Sequence, residues 1–208
     1  MAIEDMPDVG APPVREPAPT AQVADPGPLG LAAFASTTLV LSFVNAGLID
    51  KSVELSTVLA LALFYGGLVQ LLAGMWEFRA GNTFGATAFP TYGAFWMAFA
   101  LYVGVLADTV PQAQQATATG MFLLVFTVVT GYLTVASLRT NTALTTVFVL
   151  LFLTFAALTT GELAGVDGLV TLGGWLGIAT AAAAFYASFA GVLNATWKRT
   201  VLPVGSPR

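Results

Sequence analysis

The sequence predicts an all-α integral membrane protein of six transmembrane helices, and three observations carry that prediction. Hydrophobic residues make up 57% of the chain and charged residues only 9%, where a soluble domain carries about 25% charged residues. Six apolar runs alternate with short polar breaks, each run close to the ~20 residues a helix needs to cross the hydrocarbon core. Mean hydropathy is +0.83, and 208 residues leave no room for a large soluble domain beside the runs.

Residues 1–28 hold seven prolines, five acids and one arginine. Such a segment cannot bury enough apolar surface to order itself, and it lacks the basic start and apolar run of a secretory signal. A disordered, Pro-rich cytoplasmic tail is expected there, followed by a six-helix membrane domain over residues 29–197 and a short cytoplasmic tail over 198–208. The spans are placed at Leu29–Ile49, Leu55–Trp76, Phe84–Ala107, Ala118–Leu138, Ala143–Thr160 and Leu169–Leu193, the fifth being the shortest. Gly85, Pro90 and Gly93 crowd the first half of the third, which predicts a kinked or broken start; irregular backbone at membrane depth survives where protein or a wet cavity covers it. Small residues at helix-contact spacing, Gly81 with Gly85, Gly173 with Gly177, and Gly66 and Gly67 with Gly74, mark close helix approach.

Basic residues set the orientation. Arg15, Arg79, Arg139, Lys198, Arg199 and Arg208 fall on the termini and the second and fourth loops, and the other loops carry only Lys51. Positive charge collects on the cytoplasmic side, so both termini are expected inside, in a plasma or bacterial inner membrane. Trp76, Trp175 and Trp197 fall near span ends, as interfacial belts require.

Cysteine and histidine are absent, which removes thiolate nucleophiles, sulfur-ligated metals, the commonest metal ligand and the usual proton shuttle. An intramembrane enzyme would need a nucleophile, a metal cluster or paired acids within the spans, so no enzymatic activity, metal or cofactor is expected, and no nucleic-acid partner. The polar residues within the apolar runs are the informative ones, because hydrocarbon makes each of them expensive. Glu77 and Arg79 stand at the cytoplasmic end of the second span, followed by Asn82, Thr83 and Thr87. Uncharged hydrogen-bonding groups suit a small anion that must bind and leave again. Arg79 would gather anions at the mouth, or else Glu77 and Arg79 reach the lipid headgroups and only mark the membrane boundary. Thr37, Thr38, Ser42 and Asn45 lie in the first span, and Thr38, Ser42 and Asn45 share one face at i, i+4 and i+7. Asn45, and Gln70 and Tyr65 in the second span, are either interhelical glue or lining of a path; Asn194 is expected to anchor its helix end. Phe34 and Tyr92 flank these polar faces and would narrow a path enough to demand dehydration. A non-transporting scaffold or assembly protein is the alternative, although its spans would be apolar throughout.

Longer motifs add a resemblance. Asp25–Leu31 reads DPGPLGL (Asp25, Pro26, Gly27, Pro28, Leu29, Gly30, Leu31) and resembles the NPAPLGL signature of the acetate uptake transporter family, the succinate–acetate permeases. FYGG, LLAGMWEFRAGNTFGATAF, YGAFW, Val192–Asn194 and VLPVG extend the match over nearly the whole membrane region. The resemblance implies six helices per protomer, a homohexamer in the lipid bilayer, and passage of acetate and small monocarboxylates, in some members succinate, through each protomer, channel-like or proton-coupled. It further implies a hydrophobic constriction at Phe34, Tyr92 and Leu151. Asp25 and Gly27 replace the signature's Asn and Ala, Gly191 replaces an acidic residue, and Pro90 a polar one. A carboxylate at position 25 repels an anion but suits the N-terminus of the first helix.

Overall fold

The computed structural model describes residues 23–205; the expected tail over 1–28 lies mostly outside them, as do Arg15 and Arg208. Six membrane-length helices follow one another: α1 Gly27–Asn45, α2 Ser56–Ala80, α3 Thr83–Thr109, α4 Gln112–Ser137, α5 Thr142–Ala164 and α6 Asp167–Trp197. Their apolar windows have mean hydropathies of 1.4 to 2.1, and no strand is present among the described residues. The six expected spans are thus all found, most of them longer than the apolar runs because polar residues extend the helices past the hydrocarbon. α5 runs four residues beyond the expected Thr160, and the shortest helix is α1, with 19 residues.

Local chemistry sets the boundaries. Asp25 Oδ1 accepts the N–H of Gly27 at 2.8 Å, the first N–H of α1, so the departure from the signature's Asn supplies a negative group where the helix dipole favours one. α2 ends at Gly81, whose φ of +75° is the left-handed conformation that glycine adopts without steric cost. Gly81 therefore terminates a helix, and a side chain there would touch nothing, contrary to its expected pairing with Gly85 at a helix contact. Asn82 then caps α3 by accepting from Gly85 N at 3.2 Å, and Asn141 caps α5 by accepting from Leu144 N at 2.9 Å.

Of the kinked or broken start expected for the third helix, the break is not found. Thr83–Leu101 is continuous α-helix with Pro90 inside it. The pyrrolidine is accommodated because it packs against Gly74 of α2, where any Cβ would overlap the ring. The irregular turns lie elsewhere: wide π-type turns at Glu54–Val58 and Phe64–Val69 in and before α2, and at Tyr102–Leu106 near the end of α3.

α1 packs chiefly on α6, α6 on α5, α5 on α4, and α2 on α3. Glycines bring these helices together, since a Cβ on Gly66 would meet Thr37, one on Gly173 would meet Leu158, and one on Gly177 would meet Ser42. Gly191 packs on Pro28, a Cβ lying 2.7 Å from the ring, so the acidic residue of the family pattern has no room in this packing. The centre is aromatic: Phe34, Tyr92, Phe95, Phe148 and Phe155 are all buried, and their ring contacts contribute about 0.5–1.5 kcal/mol per pair beyond area burial. Trp76, Trp175 and Trp197 are each more than half exposed near helix ends, where a bilayer's interfaces would meet them.

Candidate functional site

Two cavities enter the bundle from opposite ends. The first, about 270 Å³, opens at the end that carries Arg79, Arg139, Lys198 and Arg199, and is lined among others by Asp25, Gln70, Glu77, Asn82, Asn141 and Asn194. The second, about 360 Å³, opens at the far end and is lined among others by Thr38, Ser42, Asn45, Lys51, Trp96, Gln115, Thr154 and Glu162. Phe34 and Leu151 line both cavities. Tyr92 borders the first and Phe155 the second, with their rings 6.5 Å apart and nearly parallel at 13°. The Phe34 ring lies 5.8 Å from Tyr92. Two chambers, each with polar groups set in a largely apolar wall, thus approach one another at an apolar neck of Phe34, Tyr92 and Leu151, each 5% exposed or less.

The helical phase that builds the neck also sorts the polar residues. Thr38, Ser42 and Asn45 share the face that their spacing predicted and reach the far cavity. Gln70 and Glu77, seven residues apart on α2, face the basic-end cavity together with Asn82. Glu77 is 1% exposed; its Oε2 accepts from Asn82 Nδ2 at 2.9 Å. Gly85 and Gly27 leave the space its carboxylate occupies.

Five of the polar residues named from the sequence line neither cavity. Thr37 is buried between α1 and α2, donating to Ala33 O at 3.2 Å and Leu61 O at 3.4 Å, and serves as interhelical glue. Thr83 and Thr87 sit on the outward face of α3, where the Thr87 hydroxyl donates to Thr83 O at 2.9 Å; the inward face is the one holding Gly85, Ala88 and Tyr92. Arg79 is exposed at the bundle end. Tyr65 likewise lines neither cavity.

Several lining residues escaped the sequence reading. Glu162 lay beyond the point at which the fifth span was ended, and Trp96 was one aromatic among many. Asn141 reads as an ordinary helix cap, which it also is. Asn194 does more than anchor its helix. Its Oδ1 accepts from Val201 N at 2.7 Å and Leu202 N at 3.0 Å, and its Nδ2 donates to Leu202 O at 2.9 Å. Tyr186 OH donates to Pro203 O at 2.6 Å, and Ala143 N donates to Val204 O at 2.9 Å. Residues 199–205 are therefore held across the basic-end mouth, with Val204 lining the cavity.

Electrostatically the two chambers differ. Among the described residues, the charged groups lining the basic-end cavity are Asp25 and Glu77; the far cavity has Lys51 and Glu162. Beside Lys51 in the loop, hydrogen bonds from the Ser52 side chain and then its backbone N–H hold the exposed Asp50 carboxyl below its ordinary range. Thr38 Oγ1 and Trp96 Nε1 in the far chamber, and Gln70 Oε1 and Glu77 Oε1 in the near one, are buried without a hydrogen-bond partner among the described residues. Buried polar atoms are nearly always paired, and here every unpaired one belongs to a residue that lines a chamber. No group of histidine, cysteine or acidic residues able to hold a metal is found among the described residues.

A bundle of six apolar helices, hollowed from both ends around an aromatic neck, defines a multi-pass membrane protein. The sequence profile of the GPR1/FUN34/yaaH family matches residues 10–206, so the chain belongs to that family, and the resemblance read from its motifs is borne out. It is 36% identical over 184 residues to the succinate-acetate/proton symporter SatP of Escherichia coli K12, covering 88% of this chain and 96% of that one. It is 39% identical over 196 residues to acetate permease A of Emericella nidulans, and 43% identical over 181 residues to accumulation of dyads protein 2 of Saccharomyces cerevisiae. The matches cover 87% and 85% of this chain but only 65% and 64% of those fungal proteins. Among solved structures, the bacterial acetate channel SatP superposes with a TM-score of 0.82 at 36% identity, covering 88% of this chain and 99% of that one.

Proposed function

We propose that residues 29–197 form a transport domain that moves acetate and related small carboxylates, succinate among them, across a cell membrane through each protomer. The observation that carries this reading is the pair of opposed cavities that share Phe34 and Leu151. A carboxylate leaving water needs replacement hydrogen bonds, and Gln70, Asn82 and Asn194 in one chamber and Thr38, Asn45 and Trp96 in the other supply donors. The neck accepts a methyl group and presents no polar group to a larger hydrated ion. Relatives named for acetate, with and without a proton, support the substrate class, and no covalent chemistry is required. The exposed apolar flanks of the helices fit lipid and further copies of this chain, in a homohexamer. Reconstitution into liposomes tests the reading: labelled acetate should enter, and its absence from well-folded preparations would overturn transport in favour of a scaffold.

In this reading the basic end faces the cytoplasm, with both termini inside. A cysteine introduced by Asp108→Cys should therefore react with an impermeant external reagent in intact cells, and one introduced by Arg139→Cys should not. Labelling of both from the same side would break the topology.

The near chamber's hydrogen bonds make a second test. Asn82→Ala removes both the cap on Gly85 N and the donor to Glu77, a loss of about 0.5–2 kcal/mol for the cap alone. Acetate flux should fall by a factor that does not change with salt. Arg79, outside both chambers, acts only through its field, which is screened over about 8 Å at physiological ionic strength. The deficit of Arg79→Gln should appear at low salt and vanish as salt is added. Normal flux in Asn82→Ala under all conditions would remove this chamber from the route.

A further inference from the structure

Tyr92 is 2% exposed, and among the described residues its hydroxyl has one partner: Thr130 of α4, whose Oγ1 lies 2.9 Å away. Thr130 is itself wholly buried and lines neither cavity. The other neighbours of Tyr92 in the neck are ring faces and edges: Phe34 at 5.8 Å, Phe148 at 6.2 Å and Phe155 at 6.5 Å between centroids. The phenol oxygen lies on the Cβ–Cγ axis and stays in place when the ring flips about its broad, two-fold terminal torsion. A hydrogen bond to it fixes instead the swing of the whole side chain about Cα–Cβ, which sets how far the ring reaches across the neck. The directional constraint on the ring that narrows the neck is therefore the hydrogen bond to Thr130.

We propose that Thr130 is a positioning residue that sets substrate selectivity from outside the path, by holding the Tyr92 ring across the neck. This rests on the transport reading above. The alternative to the bond is unfavourable, since a buried hydroxyl without a partner bears its full desolvation penalty. Deprived of Thr130, the Tyr92 hydroxyl turns to the nearest polar space, the basic-end chamber that its ring already borders. That rotation withdraws the ring from between Phe34 and Phe155 and changes the aperture, although no residue of the path has been altered. Placement reinforces the assignment. α4 has few contacts with α3, so this bond is a principal polar tie between them beyond the Tyr102–Thr119 hydroxyl pair near the far end. On its other side α4 is joined to α5 by the Thr127–Thr159 hydroxyl pair at 2.8 Å and by Thr134 Oγ1 donating to Phe148 O at 3.0 Å. Thr130 thus stands on a helix that is itself tied to the segment bearing Phe148, Leu151 and Phe155.

The test compares Thr130→Val, which keeps the shape and removes the hydroxyl, with Thr130→Ser, which keeps the hydroxyl. In liposomes of equal folded content, fluxes of labelled acetate, propionate and butyrate are measured for each. Thr130→Val should shift the butyrate-to-acetate ratio by roughly tenfold, the size expected when one buried hydroxyl loses its partner, and Thr130→Ser should keep the parental ratio. In a Tyr92→Phe background, Thr130→Val should add nothing, because the bond it would break is already gone. A ratio unchanged by Thr130→Val, or a further shift in the Tyr92→Phe background, would overturn the inference while parental acetate flux keeps the transport reading intact. Absence of acetate flux in the parent would instead sink that reading itself. Should Thr130→Val not fold, Thr130→Ala decides: it also removes the partner while leaving the Tyr92 hydroxyl in place, and an unchanged ratio there overturns the proposal.

Discussion

Replacing Phe34 by alanine should turn a selective route into a permissive one. The side chain lines both chambers and faces Tyr92 across the neck, so truncating it joins the two cavities into one continuous space. Larger monocarboxylates should then gain on acetate by an order of magnitude or more, since about 1.4 kcal/mol removed from the crossing barrier is already tenfold in rate. Tyr92→Ala should act in the same direction. Truncating a buried phenylalanine costs about 3–5 kcal/mol in packed soluble cores, so the comparison must be made at equal folded protein, checked by monodispersity in detergent. Unchanged selectivity in folded Phe34→Ala and Tyr92→Ala would place the constriction elsewhere.

A second effect, on stability, is expected at Gly74. A Cβ at that position would overlap Pro90 Cδ and Cγ and lie 2.7 Å from its backbone nitrogen. A pyrrolidine ring cannot rotate aside as a flexible side chain does, so α2 and α3 would have to separate along their contact. Overpacking of this kind costs about 1–3 kcal/mol, and Gly74→Ala should lose folded protein on heating well before the parent does. Pro90→Ala should restore the space, so the double variant should be more stable than Gly74→Ala alone. A Gly74→Ala protein as heat-resistant as the parent would show that the helices do not meet at this point.

The helix count was legible because apolar runs of membrane length leave few alternatives, and the face of α1 was legible because Thr38, Ser42 and Asn45 obey one period. Phe34 and Tyr92 could be singled out because they flank polar faces, and Leu151 came only through the family motif. What the sequence hid was phase and partner. Thr83 and Thr87 stand one helical step from Asn82 and look equivalent to it in a string of letters, yet face outward. Thr37 differs from Thr38 by a single residue and is spent on a helix contact. Thr130 carries no local signal, since the residue it holds is 38 positions away. Gly85, Pro90 and Gly93 left a break as open as a kink because the complement of Pro90, Gly74, lies on another helix.

The wide turn at Phe64–Val69 has a consequence for how this chain can vary in length. Before it, Val58 and Ala62 are the buried positions of α2, and within it Gly66 and Gly67; after it they are Gln70, Ala73, Gly74 and Glu77. An uninterrupted 3.6-residue period from Ala62 would turn Val69 and Trp76 inward instead, whereas Trp76 is 57% exposed and Glu77 1%. The turn therefore absorbs one extra residue, worth about 100° of rotation, and resets everything downstream of it. A single codon lost within Phe64–Val69 would therefore leave a regular helix with Gln70 and Glu77 still facing the chamber, whereas one lost between Gln70 and Glu77 would turn the carboxylate toward the lipid.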